Sequence, residues 1–245
     1  DFTDTIASMR TAQDKGLAVL GGPWSYITTI VSEFFGMEDF LVKLYTNPDV
    51  MHAVIGHVVD FYLELNARFF EEAGDALDVF FFASDMGTQQ DLLFSPAQFD
   101  EFFREPFARL IALAKRHGYP VLLHSCGAVS KLIPRLLELG IDGLHPLQAN
   151  AQGMQAQSIA SDYRDRLVFV GGVDTQELLP SAGPERVRDE VHRLIDIFGG
   201  GFIASPSHEG VLPNVPLENL IAIHKGVADR RHARGSRSTA PPGEG

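Results

Sequence analysis

The chain has 245 residues, of which 45% are apolar, and its 20 Lys and Arg against 32 Asp and Glu give a net charge of −12. This length suits one large domain or two small ones, and the acidic balance argues against a protein that binds nucleic acids or anionic membranes. No apolar run approaches the roughly 18 residues of a membrane span, and no secretory signal is visible. The single cysteine, Cys126, fits a reducing compartment, so a cytoplasmic protein is expected.

Short apolar runs of strand length recur along the chain, separated by helical patterns. The runs cover 16–22, 77–85, 119–126, 141–148, 166–174 and 200–208, and the helical patterns cover 49–73, 95–118, 128–140, 183–201 and 215–231. Ser95 and Pro96 suit the start of the second helix, and Gly140 suits the end of the third. This alternation predicts an α/β fold in which helices cover a parallel sheet.

Six strand–helix units are two fewer than a closed (β/α)8 barrel requires. Either the sheet is open, or two N-terminal units are absent from a chain that begins without Met. An open sheet edge would favour oligomerisation. No G-x-G-x-x-G segment follows a strand, so a dinucleotide-binding fold has no support. We expect one folded domain over 1–231 and a disordered tail over 232–245, where small, polar, Pro and Gly residues dominate.

Parallel α/β proteins carry their functional residues at the carboxyl ends of the strands. For any one polar residue at such a position, capping of the next helix is the simpler explanation. Taken together, the polar residues at the ends of successive strands predict a functional site on one rim of the sheet. The polar or aromatic residues that end or directly follow the runs include Trp24, Asp85, His124, Cys126, Gln148, Asn150, Asp174, Gln176, His208 and Glu209.

His124 and Cys126 are two residues apart at the end of the third run, so their side chains point to the same side of a strand. They can converge on one metal ion, but a catalytic zinc site needs a third protein ligand. His208 is the first candidate for that ligand, and Asp85, Asp174 and Glu209 are the alternatives. A thiol nucleophile paired with His124 and a small buried cysteine remain possible. His145, in "GLHPLQ", is ambiguous.

Four segments resemble the uroporphyrinogen decarboxylase superfamily. They are "GGPWSYITTIV", "LLHSCGAVSKLIPRLLELGIDGLHPLQ", "VFVGGVDTQELLP" and "SPSHEGVLPNVPLENLIAIH", and the resemblance covers roughly residues 15 to 230. It implies a TIM (β/α)8 barrel with its site at the carboxyl-end rim. Members of the superfamily are usually longer at the N-terminus, which agrees with missing N-terminal units.

The resemblance is closer to the branch of corrinoid-dependent methyltransferases, which carry H-x-C-G at this strand end and a cysteine near the last strand. Here Ser207 and His208 take the place of that cysteine. The resemblance implies zinc held by His124, Cys126 and His208, methylcobalamin carried by a partner corrinoid protein, and a small methyl acceptor. Candidate catalytic residues are Asp85, Asp174 and His208, and candidate substrate contacts are Trp24, Gln148 and Gln176.

The alternative within the superfamily is decarboxylation of uroporphyrinogen without a metal, with Asp85 or His208 handling protons. Its substrate carries eight carboxylates and needs cationic partners. The post-strand segments 21–30, 84–93, 145–153, 171–179 and 205–215 contain no Arg or Lys, and after the third run Lys131 lies close, a turn into its helix. Thr29 stands where the decarboxylases have a tyrosine. A barrel that binds a tetrapyrrole or a corrinoid protein without catalysis is a third hypothesis.

Overall fold

The computed structural model describes residues 1–238, with side chains described as far as Arg231. Contacts divide the chain into two compact units, Asp1–His145 and the residues from Pro146 onward. Parallel strands alternate with helices in both units, which confirms the predicted α/β class and the strand–helix order of a TIM barrel. All six described strands lie inside the six predicted apolar runs.

The first unit contains the first four strands and seven helices. In chain order they are α1 (Thr3–Asp14), β1 (Leu20–Gly21), α2 (Ile27–Phe35), α3 (Met37–Thr46), α4 (Pro48–Ala73), β2 (Val79–Ala83), α5 (Pro96–Gln98), α6 (Arg104–Arg116), β3 (Val121–His124), α7 (Ile133–Leu139) and β4 (Gly143–Leu147), whose last two residues belong to the second unit. A π-helical turn, Phe99–Phe103, joins α5 to α6. The strands pair in parallel and in chain order.

The sheet of the first unit has one face that packs against helices. Phe80 and Phe82 on β2 are completely buried, and their rings contact Phe70 of α4 and Phe107 of α6 with centroids 5.0 and 5.7 Å apart. Side chains alternate between the faces of a strand, so Phe81 lies on the opposite face. The register pairs Ala83 with His124, and His124 with His145. Phe81, His124 and His145 therefore share the face that does not pack against these helices.

Two helix boundaries in the first unit follow the predicted local chemistry. Ser95 caps α5 in a capping box, because its hydroxyl accepts from the backbone N–H of Gln98 and the Gln98 side chain accepts from the Ser95 N–H. Pro96 occupies the first helical position. Gly140 ends α7 with φ +92°, a left-handed conformation that favours glycine.

The second unit contains the remaining strands and helices: α8 (Ala156–Tyr163), β5 (Val168–Val173), α9 (Leu178–Ser181), α10 (Pro184–Phe198), β6 (Phe202–Pro206) and α11 (Leu217–Ser238). β5 and β6 are parallel neighbours over five residue pairs. Asn219 of α11 is completely buried, and its amide donates to the carbonyl oxygens of Leu179 and Ala182, both at 2.8 Å. These bonds attach α11 to the end of α9.

The backbone of α11 continues past residue 232 into the segment that the sequence predicts to be disordered. The rest of that predicted tail, 239–245, lies outside the described residues. None of the helices in the described part of the chain combines the length and apolar character needed to cross a bilayer.

Candidate metal centre

The carboxyl ends of β2 and β3 bring Asp85, His124 and Cys126 together in the first unit. Ala83 of β2 pairs with His124 of β3, so Asp85 and Cys126, each two residues further on, leave the sheet side by side. The Nε2 atom of His124 lies 3.5 Å from Sγ of Cys126 and 3.4 Å from Oδ1 of Asp85. All three potential ligand atoms lie within 4.8 Å of one another.

The two separations from Nε2 of His124 match edges of a zinc tetrahedron. With zinc bonds of about 2.0–2.1 Å to nitrogen, 2.3 Å to sulfur and 2.0–2.2 Å to oxygen, tetrahedral angles place nitrogen about 3.5 Å from sulfur and about 3.4 Å from oxygen. The donor set of imidazole, thiol and carboxylate also suits zinc. Three protein ligands would leave a fourth position open, which is the arrangement of a catalytic rather than a structural zinc site.

Burial differs among the three side chains. The imidazole of His124 is 6% exposed, whereas the carboxylate of Asp85 is 45% exposed. Oδ1 of Asp85 also accepts a hydrogen bond from the backbone N–H of Cys126 at 2.9 Å. The His124 side of the triad is therefore shielded from solvent, whereas the Asp85 side is accessible.

Behind His124 lies a second histidine. The Nδ1 atoms of His124 and His145 are 2.8 Å apart, so one of them donates a hydrogen bond to the other. Phe81 contacts the His145 ring edge to face, with centroids 5.4 Å apart and an interplanar angle of 89°. The backbone carbonyl of His145 accepts from the N–H of Ser125 at 2.8 Å. Its ring and backbone thus both support the segment that carries the candidate ligands.

The turn after Cys126 depends on glycine. Gly127 has φ +85°, and a Cβ there would come within 2.5 Å of the carbonyl oxygen of Thr88. The backbone of Gly87 approaches the same turn, since a Cβ on Gly87 would come within 2.7 Å of the Cys126 carbonyl oxygen. Close packing of the two loops that follow β2 and β3 therefore fixes Cys126 beside Asp85.

Buried hydroxyl groups form hydrogen bonds that fix the loop carrying Asp85. The Thr28 N–H donates to Oγ of Ser84 at 3.0 Å, and the Thr28 hydroxyl donates to the carbonyl oxygen of Asp85 at 2.8 Å. The Ser84 hydroxyl must then donate to Oγ1 of Thr28, 2.9 Å away. On the other side, Oγ of Ser125 accepts from the N–H of Met86 at 3.0 Å. These groups are shielded from water, so their bonds are costly to break.

Aromatic side chains border this face of the sheet. Trp24 is 52% exposed, and its ring lies 5.1 Å from that of Tyr26 and 5.3 Å from that of Phe81. Phe81 in turn contacts the rings of both His124 and His145. Trp24 therefore belongs to an aromatic layer that is continuous with the candidate metal ligands, and its substrate-binding role stays a prediction.

In the second unit, Asp174 organises the loop after β5. Its carboxylate accepts hydrogen bonds from the backbone N–H groups of Gln176, Glu177 and Leu178 and from the amide of Asn150, at 2.8–3.0 Å. Burial alone would raise the pKa of Asp174, but these hydrogen bonds outweigh it and hold the pKa below the ordinary value. Both oxygens are thus engaged locally, which favours a role in positioning the loop over metal binding.

His208, the sequence-predicted third ligand, follows β6 in the second unit. Its Nδ1 accepts a hydrogen bond from the backbone N–H of Gly210 at 3.0 Å. A neutral imidazole with an acceptor at Nδ1 carries its proton on Nε2. In this conformation neither ring nitrogen of a neutral His208 offers a lone pair to a metal, so its ligand role requires loss of the Gly210 bond and stays a prediction.

The remaining predicted contacts are also in the second unit. Gln148 is 7% exposed and its carbonyl oxygen accepts from the Ala151 N–H, while Gln176 is exposed and donates its N–H to Asp174. Sequence reasoning missed the supporting residues of the first unit, Thr28 and Ser125, and left His145 undecided. Only the pairing register between β3 and β4 places His145 beside His124.

The family model for uroporphyrinogen decarboxylase (URO-D) matches residues 3–229. The chain therefore belongs to the uroporphyrinogen decarboxylase family, as the sequence motifs indicate.

Relatives of both kinds are similar to this chain. It is 27% identical to a methylated-thiol–coenzyme M methyltransferase from Methanosarcina mazei, over 79% of this chain and 48% of that protein. It is 24% identical to a uroporphyrinogen decarboxylase from Hydrogenovibrio crunogenus, over 92% of this chain and 63% of that protein. A methylcobamide:CoM methyltransferase from Methanosarcina barkeri is 20% identical over 90% of this chain and 60% of its own length.

Among solved structures, a methyltransferase from Methanosarcina mazei superposes with a TM-score of 0.67 and 20% identity, over 92% of this chain and 64% of that one. This likeness establishes a shared fold. The chain thus spans between about half and two thirds of the length of the relatives described here.

Proposed function

We propose that this protein catalyses zinc-dependent methyl transfer from a corrinoid-bound methyl group to a small acceptor. The observation that carries the proposal is the triad of Asp85, His124 and Cys126, in which Nε2 of His124 lies at zinc-tetrahedron distances from Sγ of Cys126 and Oδ1 of Asp85. A carboxylate, an imidazole and a thiolate leave one position for the acceptor. Similarity to methyltransferases whose names include a thiol or a methylcobamide supports the same class.

In this proposal His124 and Cys126 are ligands, and Asp85 is the third ligand in preference to His208. Asp85 lies 3.4 Å from Nε2 of His124, whereas the Nδ1 lone pair of His208 accepts the N–H of Gly210. Zinc would supply Lewis acidity, which lowers the pKa of a bound acceptor and favours its nucleophilic form. The protein's own part is to fix three donors, to exclude water around His124 and to leave the side of Asp85 accessible.

The methyl donor in this proposal is methylcobalamin held by a partner corrinoid protein, and the acceptor is a small molecule. Trp24, with half its surface exposed and its ring against Phe81, which contacts His124, is the proposed contact for an apolar part of the donor or acceptor. Gln148 and Gln176 remain proposed substrate contacts. Asp174 is proposed to shape the loop after β5 through its backbone hydrogen bonds.

Metal analysis of the purified protein tests the proposal, with His124→Ala and Cys126→Ala beside the wild type. His57→Ala is the matched control, because His57 is exposed on α4. We expect about one zinc per wild-type and control chain and loss of zinc in both ligand variants. Demethylation of free methylcobalamin by a simple thiol, followed by absorbance, should depend on the same two residues. Wild-type protein without stoichiometric zinc would overturn the proposal.

Uroporphyrinogen decarboxylation is the second candidate, because the decarboxylase relatives align over a larger part of this chain than the first methyltransferase. Its octacarboxylate substrate needs cations, yet Lys131, which follows the loop after β3, binds both oxygens of Asp91 at 2.7 Å. Incubation of metal-free protein with uroporphyrinogen discriminates the two candidates. Formation of coproporphyrinogen that persists in Cys126→Ala would favour the decarboxylase.

A further inference from the structure

Behind the triad, His145 occupies the place from which the orientation of His124 can be controlled. We propose that His145 is a positioning residue, which accepts a hydrogen bond from Nδ1 of His124 and so directs the Nε2 lone pair of His124 toward Asp85 and Cys126. The inference rests on the proposed zinc centre and adds a residue to it. The two Nδ1 atoms are 2.8 Å apart, a normal hydrogen-bond length.

The direction of this bond follows from the chemistry of imidazole. A neutral histidine carries one proton, and a nitrogen that binds a metal must offer its lone pair. If Nε2 of His124 binds the metal, the proton is on Nδ1, which then donates to His145. His145 must therefore accept at its own Nδ1 and carry its proton on Nε2. The pair has a single arrangement of protons in the metal-bound state.

The position of His145 is determined from two sides. In the parallel register His145 is the direct neighbour of His124 on the adjacent strand, so both side chains leave the same face of the sheet. Phe81 meets the His145 ring at 89°, and the Ser125 N–H binds the His145 carbonyl oxygen. A hydrogen-bond acceptor held this rigidly can fix the rotation of the His124 ring, which is the usual role of an outer partner to a metal-bound histidine.

An imidazole differs from the carboxylates that often fill this place, because it can accept the hydrogen bond without a negative charge. Asp85 and a thiolate at Cys126 already offset the charge of a divalent ion. A further carboxylate behind His124 would make the centre anionic and reduce its power as a Lewis acid. His145 thus supplies orientation without additional negative charge.

Zinc affinity of His145 variants, measured by competition with a chelating dye, tests the inference. His145→Phe keeps an aromatic ring against Phe81 but removes the acceptor, and we expect its affinity to fall by about 10–100-fold. His145→Asn keeps an oxygen acceptor near the position of Nδ1 and should recover most of that loss. His57→Phe, an exposed change on α4, should leave the affinity unchanged.

A spectroscopic readout separates orientation from packing. In the zinc-loaded protein, nitrogen-15 NMR should detect a coupling across the hydrogen bond between the two Nδ1 atoms, and His145→Phe should abolish it. If His145→Phe does not fold, the wild-type coupling and the affinity of His145→Asn decide the question. Two outcomes in a wild type that binds zinc would overturn the inference and leave the proposed function standing. One is a folded His145→Phe with the same zinc affinity as wild type, and the other is the absence of this coupling in the wild type. Wild type that takes up no zinc would overturn both.

Discussion

Asp85 accepts the backbone N–H of Cys126 at 2.9 Å with the same oxygen that lies 3.4 Å from Nε2 of His124. One carboxylate oxygen thus belongs both to the backbone scaffold and to the candidate donor set. A substitution can separate these two roles, because an asparagine oxygen accepts the N–H but lacks the negative charge that strengthens binding to a cation.

We therefore expect Asp85→Asn to lower zinc affinity by more than about 10-fold, while the free energy of unfolding of the metal-free protein changes by less than about 1 kcal/mol. Asp85→Ala should lower both the zinc affinity and the free energy of unfolding, since the Cys126 N–H then has no carboxylate acceptor. Dye competition measures the affinity, and urea titration measures the stability. Zinc binding that survives Asp85→Asn but fails in His208→Ala would make His208 the third ligand instead.

The turn at Gly127 should tolerate no side chain. Gly127→Ala combines a positive φ of +85° with a Cβ within 2.5 Å of a backbone oxygen, and we expect a loss of more than about 4 kcal/mol in the free energy of unfolding. Gly118→Ala is the matched control, because Gly118 has φ +84° and no atom within 4 Å of its Cβ position. It should lose only about 1–2 kcal/mol, the cost of a left-handed residue. Equal losses in urea titrations would contradict a steric role for Gly127.

The Thr28 hydroxyl should matter both for stability and for the centre. Thr28→Val keeps the shape but removes the donor to the Asp85 carbonyl and the acceptor of the Ser84 hydroxyl. Two buried polar groups then lose a partner, so we expect a destabilisation of about 1–3 kcal/mol and weaker zinc binding. Thr46→Val, at an exposed helix end, should stay within about 0.5 kcal/mol of wild type. Unchanged urea midpoints and zinc affinity in Thr28→Val would refute this role.

The strands were predictable because each is a short apolar run that a buried parallel strand requires, and the helix start at Ser95 was predictable because its capping is local. The sequence pattern predicts no helix over 27–35. That segment, "ITTIVSEFF", is rich in residues that favour strands, and burial of Ile27 and Val31 on one face makes it α2. Tertiary packing, which no local pattern encodes, decided this element.

The candidate site was likewise predictable only in part. The convergence of His124 and Cys126 follows from their spacing on one strand. The partners contributed by other strands, Asp85 and His145, follow from register, since Ala83 and His145 are both neighbours of His124. Register is set by packing and turn geometry across the whole sheet, and the local pattern around one strand does not determine it.

The carboxylate of Asp174 gives the loop after β5 a pH-dependent stability. Four hydrogen bonds hold its pKa below the ordinary value against the opposing effect of burial. A carboxyl group whose pKa is lower in the folded state stabilises that state fully above the unfolded-state pKa of about 3.9. The contribution is lost as the pH falls through the lower, folded-state pKa.

Asp174→Asn turns an amide N–H₂ toward backbone donors, so we expect a loss of about 1–2 kcal/mol in the free energy of unfolding near pH 7. The difference from wild type should remain constant down to about pH 4 and then narrow as wild-type Asp174 is protonated. Urea titrations at a series of pH values, followed by circular dichroism, measure this. Asp162→Asn, an exposed change in α8, is the control and should run parallel to wild type. A difference that widens below pH 4 would contradict the lowered pKa, because the carboxylate would then be stabilising in its protonated form.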